Sequence, residues 1–307
     1  MIVVACPGQG SQTPGFLNEW LEDDAHRATL TALSEHIGLD LVEHGTVSDA
    51  DTIRDTAIAQ PLIVAASLLT WQALSARADL SAVGLAGHSV GEFAAAAAAG
   101  VLTPESALTL VRARGQLMAQ AAAETPTGMS AVVGGVEEDV LAAIAEQGLT
   151  PANRNGGGQI VAAGALPALA KLAEAAPRGA RVIPLQVAGA FHTEYMAGAI
   201  PALAELAATA ANPSTPTHRL WTNADGSVVT DGARFLELMV AQVANPVRWD
   251  ACMSSFQDAG ITGIIELAPA GALTGIAKRG LKGVPSVAVK TPADLDAAVA
   301  QLAEHGA

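Results

Sequence analysis

The run Gly87-His88-Ser89-Val90-Gly91 holds a serine between two glycines, with Glu92 directly behind it. A serine hydroxyl at its ordinary pKa is a weak nucleophile and needs a general base. It also needs N–H donors aimed at the oxyanion that forms when it attacks a carbonyl. The G-x-S-x-G spacing carries that meaning where a strand turns sharply into a helix. Glycines on both sides then let neighbouring backbone approach closely, and the serine is lifted out of the sheet at the positive end of the helix. Residues 82–86 read as a short buried strand and residues 91–99 as a helix stopped by Gly100, so the context fits. The Val90 N–H can point at a developing oxyanion. The same five residues would also fit a serine that merely caps a helix.

The chain has seven histidines from which a base could come. His26, His36 and His44 lie in early polar sequence, His218 in a loop among Pro and Thr, and His305 near the end. His88 adjoins the serine but is expected on the other side of the turn, in a structural role. His192, in VAGAFHTEYM, lies where a strand-like run gives way to a helical pattern, a junction that exposes a side chain at a sheet edge. A second loop, Pro7-Gly8-Gln9-Gly10-Ser11-Gln12, follows the first apolar run. It lacks the Gly-Lys-Ser/Thr of a P-loop and the third glycine of a dinucleotide fingerprint. At the C-terminal end of a strand, where open α/β sheets bind ligands, it can present the Gln9 N–H as a second oxyanion donor. A plain glycine-rich turn is the other reading.

These residues need a scaffold, and hydrophobic patterning supplies one. Ile2–Cys6 is a short apolar run ending in Pro-Gly and reads as a buried strand. Helices are predicted over 61–76, with Pro61 in the first turn, and over 104–123, with Thr103 as N-cap and Pro104 at the first helical position. The pattern then changes to strand 129–133, helix 137–147, strand 152–155, strand 159–163, helix 167–176 and strand 181–187. That β-α-β-β-α-β order is the split βαβ or ferredoxin-like arrangement. Later elements are a strand at 219–223, a helix at 232–243 and a strand at 263–267. Alternating strands and helices on either side predict a mostly parallel sheet. The expected class is α/β, with an inserted small α+β unit over 127–191 and a larger domain formed by 1–126 and 192–307.

Composition narrows the function. The chain has 307 residues, half of them apolar and only 15% charged, enough for a sizeable core and against a disordered chain. Aromatics are 3%, so the core must be aliphatic and alanine-rich. The net charge of −14 disfavours nucleic-acid and membrane-surface binding. An anionic ligand or partner would need a local basic patch, and Lys278, Arg279 and Lys282 form the densest one. Two cysteines, Cys6 and Cys252, make no disulfide framework. With no recognisable signal peptide and no apolar run taken as long enough to span a bilayer, a cytoplasmic protein is expected. No His/Cys cluster has metal-ligand spacing, and neither a metal nor a cofactor is expected.

Together PGQGSQ, GHSVGE and GAFH, in that order, resemble the malonyl-CoA:acyl-carrier-protein transacylase family. The segments RARGQLM (112–118) and QVANPVRW (242–249) look like the same family's arginine and post-histidine motifs, and the likeness runs from Gly8 to about Arg279. The resemblance implies an α/β-hydrolase-like large domain. It implies that Ser89 attacks the malonyl thioester and that His192 takes its proton, then protonates the departing CoA thiolate. It implies an oxyanion hole from the N–H groups of Gln9 and Val90. A backbone carbonyl near Gln242, in place of an acid, would orient His192. Arg114 would grip the malonyl carboxylate, with Gln60 near the acyl pocket, while Arg112 reads as solvated. In related polyketide acyltransferases a phenylalanine before the histidine accompanies malonyl, so Phe191 implies a crowded pocket. The partners implied are malonyl-CoA and acyl carrier protein.

Three other readings stay open. A serine thioesterase or esterase would share the machinery, with Asp225 or Asp250 as a possible acid. A non-catalytic carrier-binding module is a second. The third is malonyl loading of a polyketide or malonate-decarboxylase carrier, although a stand-alone chain favours fatty-acid synthesis.

Overall fold

Ile2–Cys6 (β1) is apolar and buried at every position. A strand buried on both faces belongs in a parallel sheet covered by helices on each side. In the computed structural model, which describes residues 1–305 with the side chain of His305 excepted, β1 lies inside such a sheet. The strands that follow are β2 (Gly84–Gly87), β3 (Thr127–Gly134), β4 (Thr150–Gly156), β5 (Gln159–Ala165) and β6 (Ala180–Pro184). After these come β7 (Arg219–Trp221), β8 (Val228–Val229), β9 (Val247–Arg248), β10 (Gly263–Glu266) and β11 (Ser286–Ala288).

The first sheet has the order β11-β10-β1-β2-β7-β8, parallel except for the β7–β8 hairpin at one edge. Alternate residues of β1 serve two different cores, as the strand period of two requires. Ile2, Val4 and Cys6 share a hydrophobic cluster with Val64, Phe93 and Val111. Val3 and Ala5 share another with Trp221, Trp249 and Phe256. The result is a three-layer α/β arrangement with the C-terminal ends of β1 and β2 open toward the second sheet.

That second sheet runs β6-β3-β5-β4-β9. Its first four strands are antiparallel, and helices Glu137–Glu146 and Leu166–Glu174 pack on one face around Val132, Ile144, Ile160 and Leu172. The order strand-helix-strand-strand-helix-strand over 127–184 is thus the one the sequence pattern anticipated. The fifth strand, β9, comes from outside 127–191 and pairs parallel with β4. Arg154 on β4 and Arg248 on β9 both pair with Asp250, which ties together these two neighbouring strands of the second sheet.

Several expected elements need adjusting. The helix expected from Pro61 onward begins at Thr56 and runs to Ser75, capped by Asp55, whose carboxylate accepts from Ala57 N at 2.8 Å. Pro61 therefore lies inside the helix. A proline there has no N–H for the carbonyl four residues earlier, that of Ala57. Arg112 Nη1 donates to that carbonyl at 2.7 Å. Arg112 is thus a tie between two helices and not the solvated arginine its sequence suggested. Contrary to the expectation from its apolar runs, the chain has in this helix one long and apolar enough to cross a bilayer, but most of it is buried in the core. Strand β6 stops at Pro184 rather than 187, and β7 stops at Trp221, which frees Asn223 for contacts described below. The two-residue strands β8 and β9 and the short edge strand β11 carry too little pattern to be visible in sequence.

Candidate active site

The turn from β2 into the Gly91–Ala98 helix is as tight as the sequence implies. A Cβ on Gly87 would lie 2.2 Å from Glu92 N, and one on Gly91 would lie 2.2 Å from Cys6 O, so neither position admits a side chain. Ser89 sits between them with φ 52°, a left-handed conformation that a serine adopts only when its surroundings impose it. The Gly8–Gln12 loop after β1 packs against this turn. Its Gln9 side chain is pinned by Arg54 O at 3.1 Å and Thr56 Oγ1 at 3.0 Å. Gln9, Ser89, Val90, Arg114, Phe191 and His192 all line one cavity of about 710 Å³ between the two sheets.

His192 is also left-handed, with φ 62°, and its Nε2 lies 2.7 Å from Ser89 Oγ. Its Nδ1 lies 2.9 Å from the backbone oxygen of Gln242. A carbonyl can only accept, so Nδ1 carries the proton and Nε2 is left to accept from the serine hydroxyl. Burial drives the His192 pKa down to about 3, with the Arg114 charge adding to the effect and the Gln242 carbonyl opposing it. The imidazole is therefore held neutral and able to take a proton. Asp225 caps its own turn through Ser227 N, and Asp250 pairs with Arg248 and Arg154. Neither carboxylate is the partner of His192 Nδ1.

Arg114 enters the same site from the Pro104–Glu124 helix, 1% exposed. Its Nη1 donates to Gln60 Oε1 at 2.6 Å, and its Nη2 donates to Gln242 Oε1 at 2.9 Å and to Ser89 Oγ at 3.3 Å. Its Cζ stands 5.9 Å from the centroid of the Phe93 ring, and its buried Nε has no hydrogen-bond partner among the described residues. A buried guanidinium held only by neutral groups retains the capacity to bind an anion beside the serine.

The sequence pointed to Ser89, His192, Arg114, Gln9, Val90, Gln60, Gln242 and Phe191, and the fold brings all eight together. It also brings residues that the sequence reading left without a role. Glu92, 1% exposed, accepts from Asn223 N at 2.7 Å and from Gln242 Nε2 at 2.5 Å. Burial pushes Glu92 up to about 8, opposed by the N–H of Asn223, the Thr222 hydroxyl and the charge of Arg114. Burial also lowers Arg114, to about 10, with Glu92 opposing. The position of Glu92 directly after the glycine-serine turn was the only signal for it. His88 is not confined to the back of the turn. It lines the cavity, and its Nε2 lies 2.9 Å from Asn155 Oδ1 on β4. The remaining early histidines bond locally or to a neighbouring helix: His26 to Trp20 O, His36 to Thr109 and His44 to Ser48.

A family profile described as the acyl transferase domain matches residues 3–302. The malonyl CoA-acyl carrier protein transacylase of Mycobacterium tuberculosis is 52% identical over 300 residues, covering 96% of this chain and 98% of that protein. The crystal structure of MCAT from Mycobacterium tuberculosis superposes with a TM-score of 0.93 at 50% identity, over 97% of this chain and 99% of that one. A type II PKS acyl-carrier protein in complex with its malonyl-transacylase provides a further match, with a TM-score of 0.90 at 28% identity over 97% of this chain and 99% of that one. With the profile spanning nearly all of the chain and half of its residues shared with a curated relative, the chain belongs to the acyl transferase family, among the malonyl CoA-acyl carrier protein transacylases.

Proposed function

We propose that this chain moves the malonyl group from malonyl-CoA to the pantetheine thiol of acyl carrier protein through a malonyl-serine intermediate, serving fatty-acid synthesis. The observation that carries the reading is the buried Arg114 guanidinium beside a serine-histidine pair. Ser89 Oγ attacks the thioester carbonyl carbon while His192 Nε2 takes its proton. The tetrahedral oxyanion is met by the N–H groups of Gln9 and Val90. Collapse breaks the C–S bond, and the imidazolium returns the proton to the CoA sulfur. The carrier thiol then gives its proton to His192 and attacks the ester carbonyl. Collapse breaks the bond between the acyl carbon and Ser89 Oγ, the imidazolium returns the proton to Oγ, and the acyl group leaves as the new thioester. The Gln242 carbonyl holds the imidazole in the required tautomer, as an acid does in a Ser-His-Asp triad.

Arg114 selects acyl groups that end in a carboxylate, with Gln60 steadying its fork from the other side. Phe191, 6% exposed, crowds the acyl pocket against an extra methyl. One methyl is worth about 1–3 kcal/mol, so this preference is graded. We read residues 127–191 as an inserted ferredoxin-like unit in a larger α/β-hydrolase-like domain of residues 1–126 and 192–307. The strand order of the second sheet and the serine turn after β2 support that reading. A cytoplasmic location is supported by two cysteines that are both free and buried.

Intact-protein mass after mixing with malonyl-CoA tests the function. A malonyl adduct on the wild type, absent in Ser89→Ala, should persist in buffer and move to added carrier protein. Loss of the adduct in buffer would favour a thioesterase, and no adduct would favour a binding module. In the same chase, Lys278→Glu with Arg279→Glu should slow transfer to the carrier and leave acylation by malonyl-CoA nearly unchanged. Equal slowing of both half-reactions would sink the docking role of that exposed basic pair.

The depressed His192 pKa predicts a pH profile. In the free enzyme the imidazole stays neutral well below its ordinary 6.5, so the acid limb of kcat/KM should fall below about pH 5. A bound malonyl carboxylate cancels the Arg114 charge, one of the causes of the depression. The acid limb of kcat should therefore lie at higher pH than that of kcat/KM. Coincident limbs near 6.5 in both profiles would contradict this. The stability effect has the matching sign: the unfolded chain binds the proton first, so folding weakens as pH drops from 6.5 toward 3.

A further inference from the structure

We propose that Glu92 is a positioning residue that sets the preference for carboxylate-bearing acyl groups, by locking the Gln242 side-chain amide with its oxygen toward Arg114. The inference rests on the acyl-transfer reading above and assigns a role to a buried carboxylate that the catalytic steps do not use.

The network has a single consistent polarity because both of its ends are fixed. Gly87 O can only accept, so Asn223, whose side chain reaches it at 2.5 Å, must turn Nδ2 to it. Asn223 Oδ1 is then left to face Gln242, and it accepts from Gln242 Nε2 at 2.9 Å. The backbone N–H of Asn223 can only donate, so Glu92 Oε1 accepts it. Glu92 Oε2 accepts the other N–H of Gln242 Nε2. With both amide hydrogens committed, only Gln242 Oε1 can face the donor-only guanidinium of Arg114, 2.9 Å away.

This arrangement has a chemical use. A carboxylate in direct contact with Arg114 would occupy the donors that an acyl carboxylate needs. Placing one neutral amide between Glu92 and Arg114 satisfies the buried carboxyl group through acceptor contacts while leaving those donors available. The dyad is supported separately. His192 bonds the backbone oxygen of Gln242, which also accepts from Asn245 N at 3.1 Å and does not depend on how the side chain faces.

In Glu92→Gln the new amide has one acceptor oxygen and one NH2. It must turn a donor toward either Asn223 N–H or Gln242 Nε2, so the Gln242 amide is no longer held in one orientation. The measurement is the rate of Ser89 acylation by malonyl-CoA and by acetyl-CoA, in wild type and variant, with thermal melting as the check on folding. The malonyl-to-acetyl rate ratio is expected to fall about tenfold, the scale of one hydrogen bond to a charged group, with a rise in KM for malonyl-CoA. The acetyl rate should change far less. A ratio that stays put, or two rates that fall in proportion, would overturn the proposal, because a purely structural defect has no reason to discriminate between the two thioesters. If Glu92→Gln does not fold, Asn223→Ala removes the other acceptor of the Gln242 amide. It is expected to lower the ratio in the same direction, and an unchanged ratio there overturns the proposal equally. No serine adduct from either thioester in the wild type would overturn the acyl-transfer reading and this proposal together. That result is distinct from an adduct whose selectivity ignores Glu92.

Discussion

His192→Ala is expected to slow malonylation of Ser89 by about 10⁴-fold or more, the scale seen when the base of a serine nucleophile is removed. The Ser89 Oγ–His192 Nε2 separation of 2.7 Å makes this the hydrogen bond along which the serine proton leaves. The loss should fall on the attack and much less on departure of CoA. A thiolate of pKa near 8.5 leaves without much help, whereas a serine hydroxyl does not ionise near neutral pH unaided. The residual kcat/KM should also lack the acid limb that the wild type shows below about pH 5, because the titrating base is gone. Pre-steady-state acylation monitored by intact mass reads this directly. A decrease below about tenfold would mean that another group accepts the proton, and would remove His192 from the mechanism.

Arg114→Ala should carry the second-largest effect and separate binding from chemistry. Malonylation is expected to drop by about 10²–10³-fold, as for loss of a preorganised donor to a charged group. Acetylation should fall much less, so the preference for malonyl-CoA disappears or reverses. The side chain is buried and holds Gln60 and Gln242, so the variant should also melt earlier. The ratio of the two acylation rates is therefore the quantity to compare, since lost stability affects both alike. Removing the guanidinium also removes one cause of the low His192 pKa, so the acid limb of the remaining acetyl activity should move to higher pH. Parallel loss of both activities would make Arg114 a structural arginine.

Both expectations rest on residues that were legible before any fold was known, and the reason differs from one to the next. The serine turn is a local object. Two glycines, a strand before and a helix after are all contained in about fifteen consecutive residues, and backbone sterics alone dictate the outcome. The same holds for the Thr103 cap of the Pro104–Glu124 helix, where the threonine hydroxyl accepts from Ser106 N at 3.1 Å. Arg114 and Gln242 were legible only through the likeness of whole motifs to a family. Nothing in the spacing of charges along a helix distinguishes a buried guanidinium from a solvated one. Arg112 demonstrates the limit. Two positions from Arg114, it read as solvent-facing, yet it bonds the carbonyl that Pro61 leaves without a donor.

By itself the sequence determined the α/β alternation, the β-α-β-β-α-β run over 127–184, the strained serine turn and the types of side chain available for chemistry. These follow from period, capping and steric exclusion, which act within a few residues. Only the tertiary structure decided which polar groups meet. Ser89 and His192 stand 103 residues apart in the chain, Arg114 and Gln242 128, and Glu92 and Gln242 150. A hydrogen bond is directional and short, so whether Glu92 faces solvent or completes a buried relay depends on how β7 ends and where the turn at Gln242–Ala244 falls. Burial then sets the charges: it is the largest cause of the shifts in Glu92, Arg114 and His192, with the Arg114 charge adding to that of His192.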